Sequence, residues 1–147
     1  MKWHIKKFED FSPEELYRIL QIRVEVFVVE QNCPYPEIDG KDKDCWHLYA
    51  EEHGEILAYA RLLPPGLSYE EAAIGRVLVA EVYRGSGLGK ELMEQSVAFL
   101  NDKMNYSSIR LQAQEYAEKF YSSFGFQRIS ETYLEDNIPH VDMKKVD

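Results

Sequence analysis

Ala73-Ile74-Gly75-Arg76-Val77-Leu78-Val79 is followed, after Ala80-Glu81-Val82-Tyr83, by Arg84-Gly85-Ser86-Gly87-Leu88-Gly89-Lys90, and the reading of this stretch decides the fold. The first run is β-branched and apolar and has the length of a strand. Beyond the glycines, Leu88, Leu92, Met93, Val97 and Leu100 recur as one buried helix face would. The expected order is therefore strand, glycine-rich turn, helix. Glycines let the backbone approach a bulky ligand and adopt positive φ. The first turn of the helix presents unpaired N–H groups at the positive end of its dipole. With Arg84 and Lys90 flanking the turn, the stretch predicts an anion cradle suited to phosphates.

Two common phosphate loops do not fit. A Walker A loop ends Gly-Lys-Ser/Thr, whereas Glu91 follows Gly89-Lys90, and Arg84 stands where its first glycine belongs. A dinucleotide fingerprint spaces its glycines as G-x-G-x-x-G, whereas this loop places them evenly at 85, 87 and 89. The pattern that fits is Arg-x-x-Gly-x-Gly, as Arg84, Gly87 and Gly89. A glycine-rich turn with no ligand is the plain alternative.

Around this centre, 147 residues are enough for one domain with a proper core, and 45% hydrophobic content excludes a disordered chain. No apolar run approaches the ~20 residues of a membrane span. Met1-Lys2-Trp3-His4-Ile5-Lys6-Lys7 has no apolar core after its lysines and does not read as a signal peptide, so a cytoplasmic location is expected. With 26 acidic against 17 basic residues the net charge is −9, which argues against nucleic acid and would draw cationic small molecules. Cys33 and Cys45 fit reduced thiols, and Cys45-x-His47 is too little for zinc. Asp39, Asp42 and Asp44 alternate with lysines but miss the calcium-loop pattern, so a solvated loop and no metal are expected.

In chain order, Trp3–Phe8 alternates as a first strand. Ser12 caps a helix with Pro13 at its first position and Glu15 three residues after the cap. That helix is expected to reach about Phe27, burying the stem of Arg23, with irregular chain after it because β-branched residues follow. Asn32–Asp44 reads as a loop. The runs 45–51 and 55–63 flank His53-Gly54 as a buried hairpin. After the central strand and helix come a strand at Ser108–Ala113, a helix at Glu115–Ser123, a turn at Phe124-Gly125-Phe126 into 127–130, and a last strand over Ile138–Met143. The order β-α-β-β-β-α-β-α-β-β is an α/β sheet mixing hairpins with crossovers.

The Arg84–Gly89 loop, opening a helix after a strand, resembles the acetyl-CoA pyrophosphate loop of the GNAT N-acetyltransferases. Tyr121-Ser122-Ser123-Phe124-Gly125-Phe126 is similar to the Tyr-x-x-x-Gly-Phe element near the end of those domains. The element order matches over essentially the whole chain. More narrowly, the block Arg23–Gln31, the residues Asp39, Asp44 and His47, and Ile138-Pro139-His140 resemble the ElaA-like branch. The resemblance implies a GNAT-like mixed, splayed central β-sheet flanked by helices, residues 1–147 forming a single domain, with acetyl-CoA as cosubstrate. It places the pantetheine on the backbone of Leu78 and Val79, and the pyrophosphate on Arg84, Gly85, Ser86, Gly87, Leu88 and Gly89, with Lys90 in reach of a phosphate. Domains of that family often pair, so the resemblance leaves a homodimer open while the sequence itself does not give the oligomeric state.

Acetyl transfer to an amine requires a base, a stabilised oxyanion and an acid for the leaving thiolate. Tyr121 matches the family's general acid, and a phenol of ordinary pKa near ~10 is protonated at neutral pH. Glu30, just past the first helix, and His140, on the last strand, are the candidate bases. Arg23, Glu25 and His47 are candidates for the acceptor pocket. The expected activity is transfer of an acetyl group to a primary amine of a small molecule or peptide, by direct attack in a ternary complex. A non-catalytic acyl-CoA-binding sensor or interaction module is the alternative from a different class.

Overall fold

The computed structural model describes residues 1–146. The first helix, α1 (Pro13–Val24), follows strand β1 (Lys2–Lys7) and starts as its sequence directs. The Ser12 hydroxyl accepts from the Glu15 amide, the Glu15 carboxylate accepts from the Ser12 amide, and Pro13 occupies the first turn. Such a cap contributes about 1 kcal/mol. The chain does not become irregular after Phe27. It continues from Glu25 to Glu30 as a wider, π-helical turn. The β-branched valines disfavour helix by only tenths of a kcal/mol each, and burying Val26 with half-burying Phe27 offsets that.

Strands β2 (Trp46–Glu52) and β3 (Glu55–Leu63) form the expected hairpin, turning on His53 and Gly54, both at positive φ as a two-residue primed turn requires. β3 is buried along nearly its whole length because both of its faces are covered. α1 packs Ile19 against Tyr49, Tyr59 and Leu78 on one face. Helix α2 (Leu88–Ala98) packs Leu92 and Met93 against Leu48, Ala58, Ala60 and Leu62 on the other. Each such fully buried leucine contributes roughly 1.5–3 kcal/mol.

The central strand is β4 (Ala72–Val79), and β5 (Ser108–Gln114) lies beyond the α2 crossover. Then come α3 (Glu118–Ser122), preceded by a 3-10 turn over Glu115–Ala117, and strands β6 (Gln127–Arg128), β7 (Tyr133–Glu135) and β8 (Ile138–Val146). The sheet runs β1-β2-β3-β4-β5-β8-β6, with β7 also on β8. Among the described residues only β4 and β5 are parallel, and they pair at Ala72 with Ile109 and Ala73 with Arg110 and no further. From Ile74 to Val79 the two strands diverge, so the mixed sheet is splayed at its centre.

The short strand β7 is absent from the sequence reading. Asp136 and Asn137 make its two-residue turn to β8 with φ of 51° and 62°, a primed turn with no glycine to announce it. The segment Asn32–Asp44 is also not simply a solvated loop. Glu37 and Asp42 are buried, held by arginines from α1, β3 and β4.

Candidate active site

The splay opens a cleft of about 620 Å³ between β4 and β5. Gly75 to Val77 line one wall, Leu111, Gln112 and Gln114 the other, and Tyr121 and His140 both face into it. The loop that the glycines predicted follows the end of β4; none of its residues lines this cleft, and a Cβ at Gly89 would meet the ring of Phe120, the neighbour of Tyr121, at 3.6 Å. Gly85 and Gly87 have φ of 81° and 88°, and a Cβ at either would meet nothing within 4 Å. Gly87 is the N-cap of α2 and brings no side-chain cap, so the first amides of that helix are left to an external anion. Leu88 is buried and anchors the turn to the core. The residues present therefore fit a phosphate-bearing ligand, as the Arg-x-x-Gly-x-Gly spacing requires.

Arg84 is more constrained than a phosphate-seeking side chain need be. Its Nε donates to the Val79 carbonyl at 3.0 Å and its guanidinium forms a two-pronged pair with Glu30. That pairing, with Arg84 the leading cause, holds the Glu30 carboxyl below the ordinary range. Glu30 does not line the large cleft. Together with Glu25 it borders a separate shallow depression of Ile22, Val26, Val29, Ala80 and Glu81.

His140 is arranged differently. Its Nδ1 lies 2.7 Å from the Ile138 carbonyl. A carbonyl only accepts, so Nδ1 carries the proton and the neutral ring keeps its lone pair on Nε2. The ring stacks on Tyr133 with centroids 6.2 Å apart. Across the β5–β8 ladder its partner is Gln114, whose side-chain amide donates to Gln31 at 3.2 Å and so bridges the cleft.

Tyr121 is half-buried, edge-on to Phe120 and Phe126. Its hydroxyl makes no hydrogen bond among the described residues. Burial first, and Tyr116 second, push its pKa up to about 12, so the phenol stays protonated through the physiological range. Leu78 is buried beneath α1, while Val79 is half-buried; neither pairs with β5, and the Val79 carbonyl is taken by Arg84.

Arg23 and His47 belong to the interior. Arg23 is wholly buried, its Nε 2.8 Å from Glu37 and its Nη1 2.7 Å from Asp42. His47 is wholly buried as well. Its Nε2 donates to the Asp42 carbonyl at 2.9 Å, and its Nδ1 accepts from the Tyr59 hydroxyl at 2.7 Å. Burial holds the imidazole below its ordinary pKa, so it is neutral. Neither presents a free polar atom to an acceptor. Arg61 joins the same network through Asp39 and Asp42, and Arg76 through Glu37 and Asp39.

Several cleft residues carry no sequence motif: Arg61, Arg76, Tyr35 and Gln114. The one local signal was Gly75-Arg76 inside a strand, since glycine there marks a bulge or a close approach. Cys33 borders the cleft and Cys45 lies in the core, both as free thiols; burial pushes the Cys45 thiol up to about 12. Among the described residues no three His, Cys, Asp or Glu side chains are grouped to hold a metal, and no helix is long and apolar enough to cross a membrane.

Residues 7–146 match the acetyltransferase (GNAT) domain. Protein ElaA of Escherichia coli (strain K12) is 40% identical over 147 residues, covering 99% of this chain and 96% of that protein. The crystal structure of Escherichia coli ElaA has a TM-score of 0.92, with 99% of both chains covered. That of an acyl-CoA N-acyltransferase from Pseudomonas aeruginosa has a TM-score of 0.94 at 41% identity, covering 99% of this chain and all of the other. The splayed sheet, the anion cradle and these likenesses agree: the chain belongs to the GNAT acetyltransferase family, on its ElaA-like branch, and shares its fold with acyl-CoA-dependent acyltransferases.

Proposed function

We propose that this protein is an acetyl-CoA-dependent N-acetyltransferase that modifies a primary amine of a small molecule or peptide in the cytosol, by direct attack in a ternary complex. The reading is supported by one cleft holding Tyr121 and His140, together with the uncapped, glycine-rich start of α2 that follows β4. Bound acetyl-CoA supplies the activated thioester. The amides of α2 and of Gly85–Gly89 would hold its phosphates, with Arg84 and Lys90 beside them. The unpaired edge of β4 at Leu78 and Val79 would hold the pantetheine and turn an N–H toward the oxygen that gathers charge.

His140 is the proposed base. Its tautomer leaves Nε2 available to take the amine proton directly or through a water. Glu30 is not given the base's role, because a carboxylate committed to Arg84 and set outside the cleft is a poor proton acceptor. Tyr121, protonated at neutral pH, gives a proton to the leaving sulfur. Glu25, exposed beside Glu30, is given no catalytic part.

Free-thiol release over a panel of primary amines tests the reading. Release with acetyl-CoA that requires one amine class and saturates in it is the expected result. Tight acetyl-CoA binding with no release on any amine would favour the sensor alternative and count against the enzyme.

A further inference from the structure

Strand β4 carries a backbone feature that the proposed chemistry uses without accounting for it. On β3, Tyr59 pairs with Leu78 and Arg61 with Gly75, so Ala60 alone faces the two residues Arg76 and Val77. The extra residue makes a bulge, which bends a strand and re-aims the groups beyond it. It lies just past Ala73, the last β4 residue paired with β5, at the fork from which the cleft opens.

The residue in the left-handed conformation is not Gly75. It is Arg76, with φ of 51°. An L side chain there costs free energy and persists only where the surroundings over-determine it. Those surroundings are specific. Arg76 Nε donates to Glu37 Oε2 at 2.8 Å, and its Nη2 reaches the Glu37 carbonyl at 3.1 Å and Asp39 Oδ2 at 3.4 Å. The guanidinium lies over the Tyr35 ring, whose hydroxyl donates to Glu37 Oε1. Glu37 is itself only 4% exposed and is fixed from below by Arg23, whose Nε shares the same Oε2. A line of directed contacts thus runs from α1 through Glu37 to the bulge.

We propose that Glu37 and Arg76 are positioning residues: the buried Glu37 holds Arg76 in the left-handed bulge and thereby sets the direction of the Val77–Val79 amide edge that meets the thioester. The inference rests on the acyl-transfer reading for its kinetic consequence, but not for its structural one. It assigns Glu37 a part in the reaction although Tyr35, Pro36 and Asp39 beside it line the cleft and Glu37 itself does not. A misplacement of the reacting groups by an ångström costs on the order of 100-fold, so the clamp need shift the edge only slightly to matter.

The test compares Arg76→Gly with Arg76→Ala. Both variants lose the same ionic contacts, and only alanine meets the cost of positive φ. Arg76→Ala should lower kcat by about 10- to 100-fold while acetyl-CoA affinity stays within about 3-fold, and Arg76→Gly should keep most of kcat. Glu37→Gln should lower kcat in the native background and change it little beside Arg76→Gly. Backbone amide shifts of Val77, Leu78 and Val79, read by NMR, should move in Arg76→Ala and hold in Arg76→Gly. Equal kcat losses in the two variants, or equal amide shifts, would overturn the proposal. An equal rise in acceptor KM in both would assign Arg76 to substrate binding and overturn it as well. If the native protein releases no thiol with any amine, the acyl-transfer reading fails, and the amide shifts alone still decide the clamp.

Discussion

Replacing Arg23 with methionine should lower stability by about 3–5 kcal/mol at neutral pH, one of the largest single-residue losses expected in this chain. Methionine fills much of the space, so the loss is electrostatic: two buried carboxylates, Glu37 and Asp42, each lose a charged donor at 2.7–2.8 Å. The lower end of the range is expected because Arg76 still reaches Glu37 and Arg61 still reaches Asp42. Urea unfolding measures the loss directly, and a fall of roughly 10 °C in Tm should accompany it. The pH dependence has a defined sign. Burial by itself would raise the Asp42 carboxyl, but Arg23 and then Arg61 overcome it and hold the group below its ordinary value of about 3.8. A depressed carboxyl contributes stability that is fully present above its unfolded pKa and is lost as pH falls through the folded one. The gap between native and variant proteins should therefore be widest above about pH 4 and narrow in more acidic solution. A loss under about 1 kcal/mol at pH 7 would mean that the network is more solvated than its burial indicates.

Tyr121→Phe separates chemistry from structure more cleanly. The hydroxyl bonds to no group among the described residues, and the ring's edge contacts with Phe120 and Phe126 do not involve it. Stability should therefore change by less than about 0.5 kcal/mol. Turnover should fall by about 100-fold or more, the usual contribution of a positioned acid, with acetyl-CoA affinity nearly intact. The phenol's pKa of about 12 adds a condition. No loss of activity from ionisation of Tyr121 should be seen below pH 10. Equal turnover in the phenylalanine variant would remove Tyr121 from the proton path and leave it a packing residue.

What could be read before the structure was what the chain encodes locally. The capping box at Ser12–Glu15, the His53-Gly54 hairpin and the passage from β4 through glycines into α2 are each set by neighbours within a few residues. What could not be read depends on contacts between distant elements. Asp39, Asp42 and Asp44 among lysines look like any solvated loop; that Asp42 and the nearby Glu37 are buried is decided by Arg23, Arg61 and Arg76, which arrive from three other elements. The same holds for the two candidate bases. Glu30 and His140 rank alike by residue type, and only the Arg84–Glu30 pair and the Ile138 carbonyl at His140 distinguish them. The β7–β8 turn is hidden in the sequence for a different reason. Asp136 and Asn137 adopt conformations usually signalled by glycine, which their short polar side chains tolerate. The positive φ at Arg76 inverts that lesson, since the glycine beside it does not take it.

The central claim is that the loop at the foot of α2 binds acetyl-CoA. Calorimetric titration of the native protein and of Gly87→Val with acetyl-CoA tests it most directly. Gly87 caps α2 at φ of 88°, a conformation that a β-branched residue avoids, and the space around it is open. Valine should therefore disturb the cradle's amides without clashing with the core. One-to-one binding to the native protein and its loss in the variant are the expected pair of results. No binding to the native protein, or equal affinity in both, would contradict the assignment of the loop.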